Sequence, residues 1–254
     1  MVLKRLFGRP RRAGPAYSLS PGKRVYAVGD VHGRLDLLNA LLAKIEADRE
    51  QAPALEHHLV LLGDYIDRGP ESAGVLDRIM GLASSEPNLT LLKGNHEDMM
   101  LRAIDGDRNQ LMLWARNGGR ETVLSYGMDE TDYDHADFHQ LEEILPDVVP
   151  STHIAFLREL RISRAIDGYL FVHAGIHPAV ALDEQTAADQ MWIRTRFLES
   201  DDDHGAMVVH GHCITDDVEI RHNRIGVDTG AYMSNRLSAV VLEGKSCRVL
   251  DARS

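Results

Sequence analysis

The feature that most constrains this chain is a unit of strand, polar turn and helix that occurs three times before residue 105. Each unit begins with an apolar run typical of a buried strand, at Val25–Val28, Leu59–Leu62 and Leu89–Leu92. Each run leads into a glycine and an aspartate or asparagine, and apolar residues at helical spacing follow. Strands that alternate with helices form α/β sheets, so this order predicts an α/β fold.

The rest of the chain follows a different pattern. Residues 105–161 contain a turn at Asn117-Gly118-Gly119, an acidic stretch and a predicted helix from Ser151 to Leu160, and we interpret them as a cap-like insertion. The second half is rich in strand-like runs, which are Tyr169–Val172, Met207–Val209, Arg224–Val227, Leu237–Leu242 and Cys247–Leu250. We therefore predict a two-sheet β sandwich flanked by helices, in a single catalytic domain that spans residues 23–254.

Composition narrows the classes of function. The formal net charge of −11 argues against a broad basic surface for nucleic acid, because such binding depends on neutralised phosphates. Two cysteines, Cys213 and Cys247, and the lack of a long apolar run predict a cytoplasmic protein with no membrane contact. Residues 1–22 carry several basic side chains and are predicted to be a flexible arm.

Candidate metal ligands stand at or just after the ends of the predicted strands, beside glycine: Asp30, His32, Asp64, Asn95, His96, His173 and His212. In α/β sheets such strand ends converge at one edge, where ligands bind. Oxygen donors mixed with imidazoles suit divalent manganese, iron or zinc better than calcium, and one carboxylate can bridge two ions. Each motif alone is more often structural, but their recurrence in the same context predicts a metal site.

Three motifs at similar intervals support a closer comparison: Gly29-Asp30-Val31-His32-Gly33, Gly63-Asp64-Tyr65-Ile66-Asp67-Arg68-Gly69 and Gly94-Asn95-His96-Glu97. With Val172-His173-Ala174-Gly175, Gly211-His212 and Val227-Asp228-Thr229-Gly230, the chain resembles the calcineurin-like metallophosphoesterases. Within them it is most similar to the serine/threonine protein phosphatases of the bacterial and phage type. The resemblance extends from Arg24 to Leu250 and implies the two-sheet fold of that superfamily.

The resemblance also implies a centre of two divalent metal ions. Asp30 and His32 would hold the first ion, and Asp64 would bridge both. The ligands of the second ion would be Asn95, His173 and His212. Manganese is the expected metal, with iron, zinc or nickel as alternatives.

Further matching positions imply the residues that act on the substrate. Arg68 and Arg194 would bind phosphate oxygens, as the planar guanidinium fork suits, and Asn95 would assist them. His96 would protonate the leaving oxygen, and Asp67 would orient His96. Two nearby cations lower the pKa of a bridging water, which would be the nucleophile.

The implied activity is hydrolysis of phosphate monoesters, and the implied partner is a phosphoprotein or phosphopeptide. The alternative is a dinucleoside-polyphosphate hydrolase of the Ap4A type, which the run His173–Ile176 resembles. Asp67 and Arg68 favour the protein phosphatase, because an oriented acid matters most for an alkoxide leaving group. A nuclease is disfavoured because Ile214 stands where a second histidine is typical, and a non-catalytic scaffold because every expected ligand is present.

Overall fold

A computed structural model of the chain describes residues 17–254. Within them the strands are β1 (Lys23–Val28), β2 (Glu56–Leu61), β3 (Leu89–Leu91), β4 (Ser163–Ile166), β5 (Tyr169–Val172), β6 (Met207–His210), β7 (Glu219–Ile220), β8 (Arg224–Gly226), β9 (Arg236–Glu243) and β10 (Ser246–Arg253). The helices are α1 (Leu35–Glu50), α2 (Ser72–Ser85), α3 (Asn95–Ile104), α4 (Arg108–Trp114), α5 (Arg120–Ser125), α6 (Glu130–His135), α7 (Phe138–Val148), α8 (Ser151–Arg158), α9 (Ala187–Trp192), α10 (Thr195–Leu198) and α11 (Ala231–Ser234).

The strands form two mixed sheets of five strands each. In the first, with the order β10-β9-β1-β2-β3, strands β1, β2 and β3 are parallel and β9 and β10 are antiparallel. In the second, with the order β4-β5-β6-β8-β7, strands β5, β6 and β8 are parallel and β4 and β7 form antiparallel edges. The predicted α/β fold with two sheets flanked by helices is confirmed.

Alternation along the central strands builds the layers of the sandwich. Tyr26 and Val28 of β1 pack in the cluster that contains the buried residues of α1 and α2. Val25 and Ala27 point the other way and meet Phe171 of β5 between the two sheets. Because both faces of β1 are covered, its sequence is apolar without a period of two.

The insertion over residues 105–161 folds as helices α4 to α8 on the helical side of the first sheet. Leu111, Trp114 and Leu145 from these helices belong to the same buried cluster as α1 and α2. Between α4 and α5 the chain kinks at Asn117 and Gly118, which leave helical backbone angles. The insertion is therefore continuous with the main core rather than a separate lobe.

The predicted arm of residues 1–22 falls mostly outside the described residues, but its last part is packed on the domain. Leu19 is buried between the sheets, and its N–H donates to the carbonyl of Gly244 at 2.9 Å. The N–H of Ser20 donates to the carboxylate of Asp167 at 2.8 Å. The part of the predicted arm that the structure describes therefore contacts the domain, and its apolar residue Leu19 packs in the core.

The sequence analysis missed the edge strands β4 and β7 and the short helices α9 and α10. These elements are two to six residues long, and their apolar residues are too few for a clear period. None of the helices within residues 17–254 has the length and apolar character needed to cross a membrane.

Candidate metal centre and active site

The predicted ligands converge where the ends of the two sheets meet. Asp30 and His32 follow β1, Asp64 follows β2, and Asn95 and His96 open α3 after β3. His173 and His212 follow β5 and β6, which are neighbours in the second sheet. A cleft of about 350 Å³ lies at this junction, and it is lined by Asp64, Arg68, His96, Arg194, His212, Ile214 and Tyr232.

The carboxylate of Asp64 is the centre of the arrangement. Its Oδ2 atom lies 3.4 Å from Nε2 of His173, 3.6 Å from Nε2 of His32 and 3.9 Å from Nε2 of His96. Potential ligand atoms within 4.8 Å of one another form two groups, and Asp64 belongs to both. The first group adds His32 and His96, and the second adds His173 and His212. One carboxylate shared by two groups is the geometry that a pair of cations requires.

Backbone carbonyls orient two of the imidazoles. Nδ1 of His32 donates to the carbonyl of Ile66 at 2.8 Å, and Nδ1 of His173 donates to that of Leu62 at 2.8 Å. Because a carbonyl only accepts, Nδ1 of each ring must carry a proton, and Nε2 of each ring faces Oδ2 of Asp64. Metal-binding histidines are commonly held in this way.

The protonation states suit cation binding. Burial lowers the pKa of His32 to about 3 and that of His212 to about 2, so both rings are neutral at neutral pH. Burial raises the pKa of Asp64, but the imidazoles of His173, His96 and His32 outweigh it and hold this pKa well below its ordinary value. Burial lowers the pKa of His173, but the charge of Asp64 and the bond to it outweigh burial and raise the net value. A metal site needs neutral imidazoles and an ionised carboxylate, which His32, His212 and Asp64 supply, and His173 would release its proton when a cation binds.

Asp30 belongs to neither group of ligand atoms. Its carboxylate accepts the N–H of His212 at 3.0 Å. Burial and the charges of Asp228 and Asp64 raise the pKa of Asp30 well above its ordinary value, and burial raises that of Asp228 to about 6. Buried carboxylates that repel each other are compensated by a cation, so this donor set fits divalent metal ions.

The amide of Asn95 completes the second group. Its Oδ1 atom lies 3.0 Å from Nε2 of His173, and the residue is 3% exposed. His210, the last residue of β6, is buried with its ring edge-to-face against that of Phe197 and lies outside both groups.

Five predicted site residues have left-handed backbone angles, with positive φ at His32, Asp64, Asp67, Arg68 and His212. Residues other than glycine rarely adopt this region, at a cost of about 1–3 kcal/mol each. Hydrogen bonds between the turns after β1 and β2 stabilise this strained backbone, since the N–H groups of His32 and Gly33 donate to the carbonyls of Asp64 and Tyr65. The strain turns the ligand side chains into the cleft.

The glycines beside the ligands allow this close approach. A Cβ atom on Gly94 would overlap the carboxylate of Asp64, and one on Gly211 would overlap the carboxylate of Asp30. Each glycine therefore allows another strand end to bring its carboxylate against the backbone. This contact explains the glycines in the motifs Gly94-Asn95 and Gly211-His212.

His96 and Asp67 form a buried pair. Nδ1 of His96 donates to Oδ2 of Asp67 at 2.6 Å, and Oδ1 of Asp67 accepts from Nε1 of Trp114 at 2.9 Å and Oγ1 of Thr122 at 2.6 Å. Burial lowers the pKa of His96, but the charge of Asp64 and the bond to Asp67 outweigh it and raise the net value. The ring is thus held by Asp67, with its Nε2 atom directed toward Arg68 in the cleft.

The arginines reach the same cleft from two sides. Arg68 places Nη1 3.0 Å from Nε2 of His32 and Nη2 3.0 Å from Nε2 of His96. Arg194 donates from Nε to Nε2 of His212 at 2.9 Å. Arg196, which stands two residues after Arg194, instead places Nη1 2.6 Å from Nε2 of His177 and does not line this cleft.

Sequence reasoning missed Glu97, which ties two of the turns together. Its buried carboxylate accepts the N–H groups of Asp64 at 3.0 Å, Tyr65 at 2.7 Å and Gly94 at 2.8 Å. Burial raises its pKa to about 7. The available signal was its place three residues after Gly94, where a glutamate side chain can accept the backbone N–H of the N-cap residue.

Three more residues were missed, and they come from distant segments. Trp114 and Thr122 of the insertion hold Asp67, as described above. Tyr232 of α11 packs its ring 4.8 Å from the guanidinium of Arg68 and meets the ring of His32 edge to face at 5.4 Å. No short motif connects these residues to the site, because tertiary packing alone brings them there.

Comparison with known proteins agrees with this geometry. The calcineurin-like phosphoesterase family matches residues 23–236. Serine/threonine-protein phosphatase 2 of Escherichia coli is 29% identical over 225 residues, which cover 85% of this chain and 91% of that protein. The symmetrical bis(5'-nucleosyl)-tetraphosphatase of Cellvibrio japonicus is 31% identical over 162 residues, or 64% of this chain and 48% of that protein.

Solved structures give the same answer for the fold. The crystal structure of a putative diadenosine tetraphosphatase superimposes with a TM-score of 0.63 at 20% identity, covering 93% of this chain and 99% of that one. The family uses a dinuclear metal centre, and the shared Asp64 and its histidines offer the ligands for one. The two-sheet fold, the clustered aspartates and histidines and the match over residues 23–236 show that this chain belongs to the calcineurin-like phosphoesterase family.

Proposed function

We propose that this chain is a metal-dependent phosphomonoesterase that acts on serine and threonine phosphoproteins. The observation that carries this proposal is the buried pair of His96 and Asp67 beside Arg68 and Asp64. A serine or threonine alkoxide is a poor leaving group and needs a proton. A positioned general acid raises the reaction rate by about 10²- to 10⁴-fold. A phosphoanhydride has a better leaving group and depends less on such a donor.

In this proposal Asp64, which belongs to both groups of ligand atoms, would be shared by two cations. His32 and Asp30, which lies outside both groups, would hold the first cation, and Asn95, His173 and His212 would hold the second. Two divalent ions, with manganese as the expected metal and iron, zinc or nickel as alternatives, activate water and neutralise phosphate oxygens when bound. The buried carboxylates of Asp30, Asp64 and Asp228 support this proposal, because their negative charge would offset the positive charge of two divalent ions.

The side chains around the centre perform the remaining steps. Arg68 and Arg194 donate to phosphate oxygens from opposite sides of the cleft, assisted by the amide of Asn95. His96 gives its Nε2 proton to the departing alkoxide, and Asp67 holds the ring in the required orientation and charge state. In-line transfer of a phosphoryl group needs this positioning and charge stabilisation rather than a protein nucleophile.

A dinucleoside-polyphosphate hydrolase is the second candidate, since one relative with that name is 31% identical over 162 residues. The test is to measure kcat/KM on a phosphoserine peptide, diadenosine tetraphosphate and p-nitrophenyl phosphate in the same manganese buffer. We expect the peptide to be the better of the two physiological types of substrate. Preference for the dinucleotide by about tenfold or more, equivalent to 1.4 kcal/mol, would assign the second function.

The proposal also includes the cellular compartment and the class of substrate. Cys213 and Cys247 are free thiols within the described residues, which supports a reducing compartment and hence a cytoplasmic enzyme. The net charge of −11 supports a protein substrate rather than nucleic acid.

A further inference from the structure

A second cavity opens beside the metal cleft. It measures about 450 Å³ and is lined by Arg68, Arg116, Asn117, Gly118, Glu121 and Tyr232. Arg68 and Tyr232 also line the metal cleft, so they form the wall common to both spaces. We call this second space the outer cavity.

Arg116 is the free cation of the outer cavity. Its side chain is exposed and makes no ion pair or hydrogen bond with any residue in 17–254. Other arginines of the insertion are engaged, since Arg108 pairs with Glu142 and Arg120 with Asp134. Arg116 thus has an unpaired guanidinium within the described residues, and it lines a cavity next to the metal cleft.

The backbone that carries Arg116 is held in place by the catalytic loop. The N–H of Arg68 donates to the carbonyl of Gly118 at 3.1 Å, and its Nε donates to the carbonyl of Asn117 at 3.4 Å. The side-chain amide of Asn117 donates to the carbonyl of Leu113 at 2.7 Å. The outer cavity is therefore built on the same segment that positions Arg68.

The position of His96 indicates which part of a substrate reaches the outer cavity. Nε2 of His96 lies 3.0 Å from the guanidinium of Arg68, on the cleft side of the common wall. In the proposed function this nitrogen protonates the leaving oxygen, so the chain attached to that oxygen passes Arg68 and Tyr232. We propose that the outer cavity binds the peptide segment next to the phosphorylated residue, with Arg116 paired to an acidic side chain of that segment.

The chemistry of the wall favours a peptide over a polyphosphate. The wall carries two guanidinium groups, but that of Arg68 contacts His32 and His96 in the metal cleft, which leaves Arg116 for the rest of the substrate. With the carboxylate of Glu121, the amide of Asn117 and the aromatic face of Tyr232, this wall matches a peptide with a single acidic side chain. A polyphosphate tail brings several negative charges, and Glu121 would repel them. This inference rests on the proposed function and names the sequence preference of the same site.

The test compares three phosphoserine peptides that differ only in a glutamate, alanine or lysine next to the phosphoserine. Each is assayed with the wild type, Arg116→Ala and Arg116→Glu, with Arg164→Ala as the control. Arg164 is also exposed but lies on edge strand β4 and lines neither cavity. p-Nitrophenyl phosphate, which is too short to reach the outer cavity, reports the chemical step in every variant.

We expect the wild type to prefer the glutamate peptide over the alanine peptide by about two- to fivefold in kcat/KM, the range of an exposed ion pair. Arg116→Ala should abolish this preference, and Arg116→Glu should reverse it in favour of the lysine peptide. All variants should hydrolyse p-nitrophenyl phosphate at the wild-type rate, and Arg164→Ala should keep the wild-type preference.

Two results separate the failure of this inference from the failure of the proposed function. If all three peptides are hydrolysed and the substitutions at Arg116 do not change their relative kcat/KM values, Arg116 does not bind the residue next to the phosphoserine and this inference is wrong. If p-nitrophenyl phosphate is hydrolysed but no peptide is, the protein phosphatase proposal itself is wrong. If Arg116→Ala instead slows hydrolysis of diadenosine tetraphosphate alone, the outer cavity binds a polyphosphate and the peptide inference is overturned.

Discussion

Replacement of Asp67 by asparagine tests the proton donor through the geometry of its partner. Oδ1 of Asp67 accepts hydrogen bonds from Trp114 and Thr122, both of which donate. In Asp67→Asn the amide oxygen must stay at this position, so the NH₂ group must face Nδ1 of His96. An NH₂ group cannot accept the Nδ1 proton, and the charged form of the ring loses its partner.

The magnitude follows from the bond that is lost. The 2.6 Å contact between His96 and Asp67 is a charge-assisted hydrogen bond, a class worth about 1.5–3 kcal/mol. At 1.36 kcal/mol per pKa unit, its loss lowers the pKa of His96 by about one to two units. Asp64 also raises this pKa, but its charge is shared with the proposed cations, so Asp67 is the carboxylate that matters during turnover.

The sign of the pH effect is fixed by the role of an acid. His96 can donate only when protonated, so activity falls as the pH rises through its pKa. Asp67→Asn should therefore move the upper limb of the pH profile for a phosphoserine peptide about one to two units toward acid. At neutral pH the kcat for the phosphoserine peptide should fall by about 10- to 100-fold. The kcat for p-nitrophenyl phosphate should fall much less, because its leaving group departs without a proton.

The assay measures steady-state kinetics on both substrates between about pH 5.5 and 9, a range that includes the ordinary histidine pKa of about 6.5. Asp77→Asn is the matched control, because Asp77 also pairs with a histidine, His153, at 3.0 Å but is exposed and away from the cleft. Equal losses on both substrates, or an upper limb that does not move, would refute the assignment of His96 as the acid.

Three further outcomes are expected. Chelation should abolish activity and manganese should restore it, with Asp64→Asn the most damaging ligand change because Asp64 belongs to both groups; full activity after exhaustive metal removal would exclude the mechanism. Arg68→Ala and Arg194→Ala should each lower kcat/KM by about tenfold or more, since each removes charge-assisted hydrogen bonds of about 1.5–3 kcal/mol. If Arg196→Ala loses most of its activity while Arg194→Ala does not, Arg196 rather than Arg194 binds the phosphate. Thr122→Val should lower the free energy of unfolding by about 1–3 kcal/mol in denaturant titrations, because it removes a donor to a fully buried carboxylate; an unchanged midpoint would mean that Asp67 is held without it.

The candidate site was accessible from the sequence because its ligands lie at the ends of strands. Asp30, Asp64 and Asn95 each follow an apolar run, and parallel neighbours in one sheet place such ends side by side. The glycines beside them were equally visible, and the structure gives their reason, which is close contact with a carboxylate. Local pattern thus determined the fold class and the position of the proposed metal centre.

Only the tertiary structure decided how the proton donor is held and what surrounds it. Trp114 and Thr122 reach Asp67 because the kink at Asn117 and Gly118 folds the insertion back onto the loop after β2. Tyr232 comes from a segment more than 150 residues away from Arg68 in the chain, and no periodicity links the two. Side chains whose partners are distant in sequence leave no local signal, because their positions depend on the packing of the whole core.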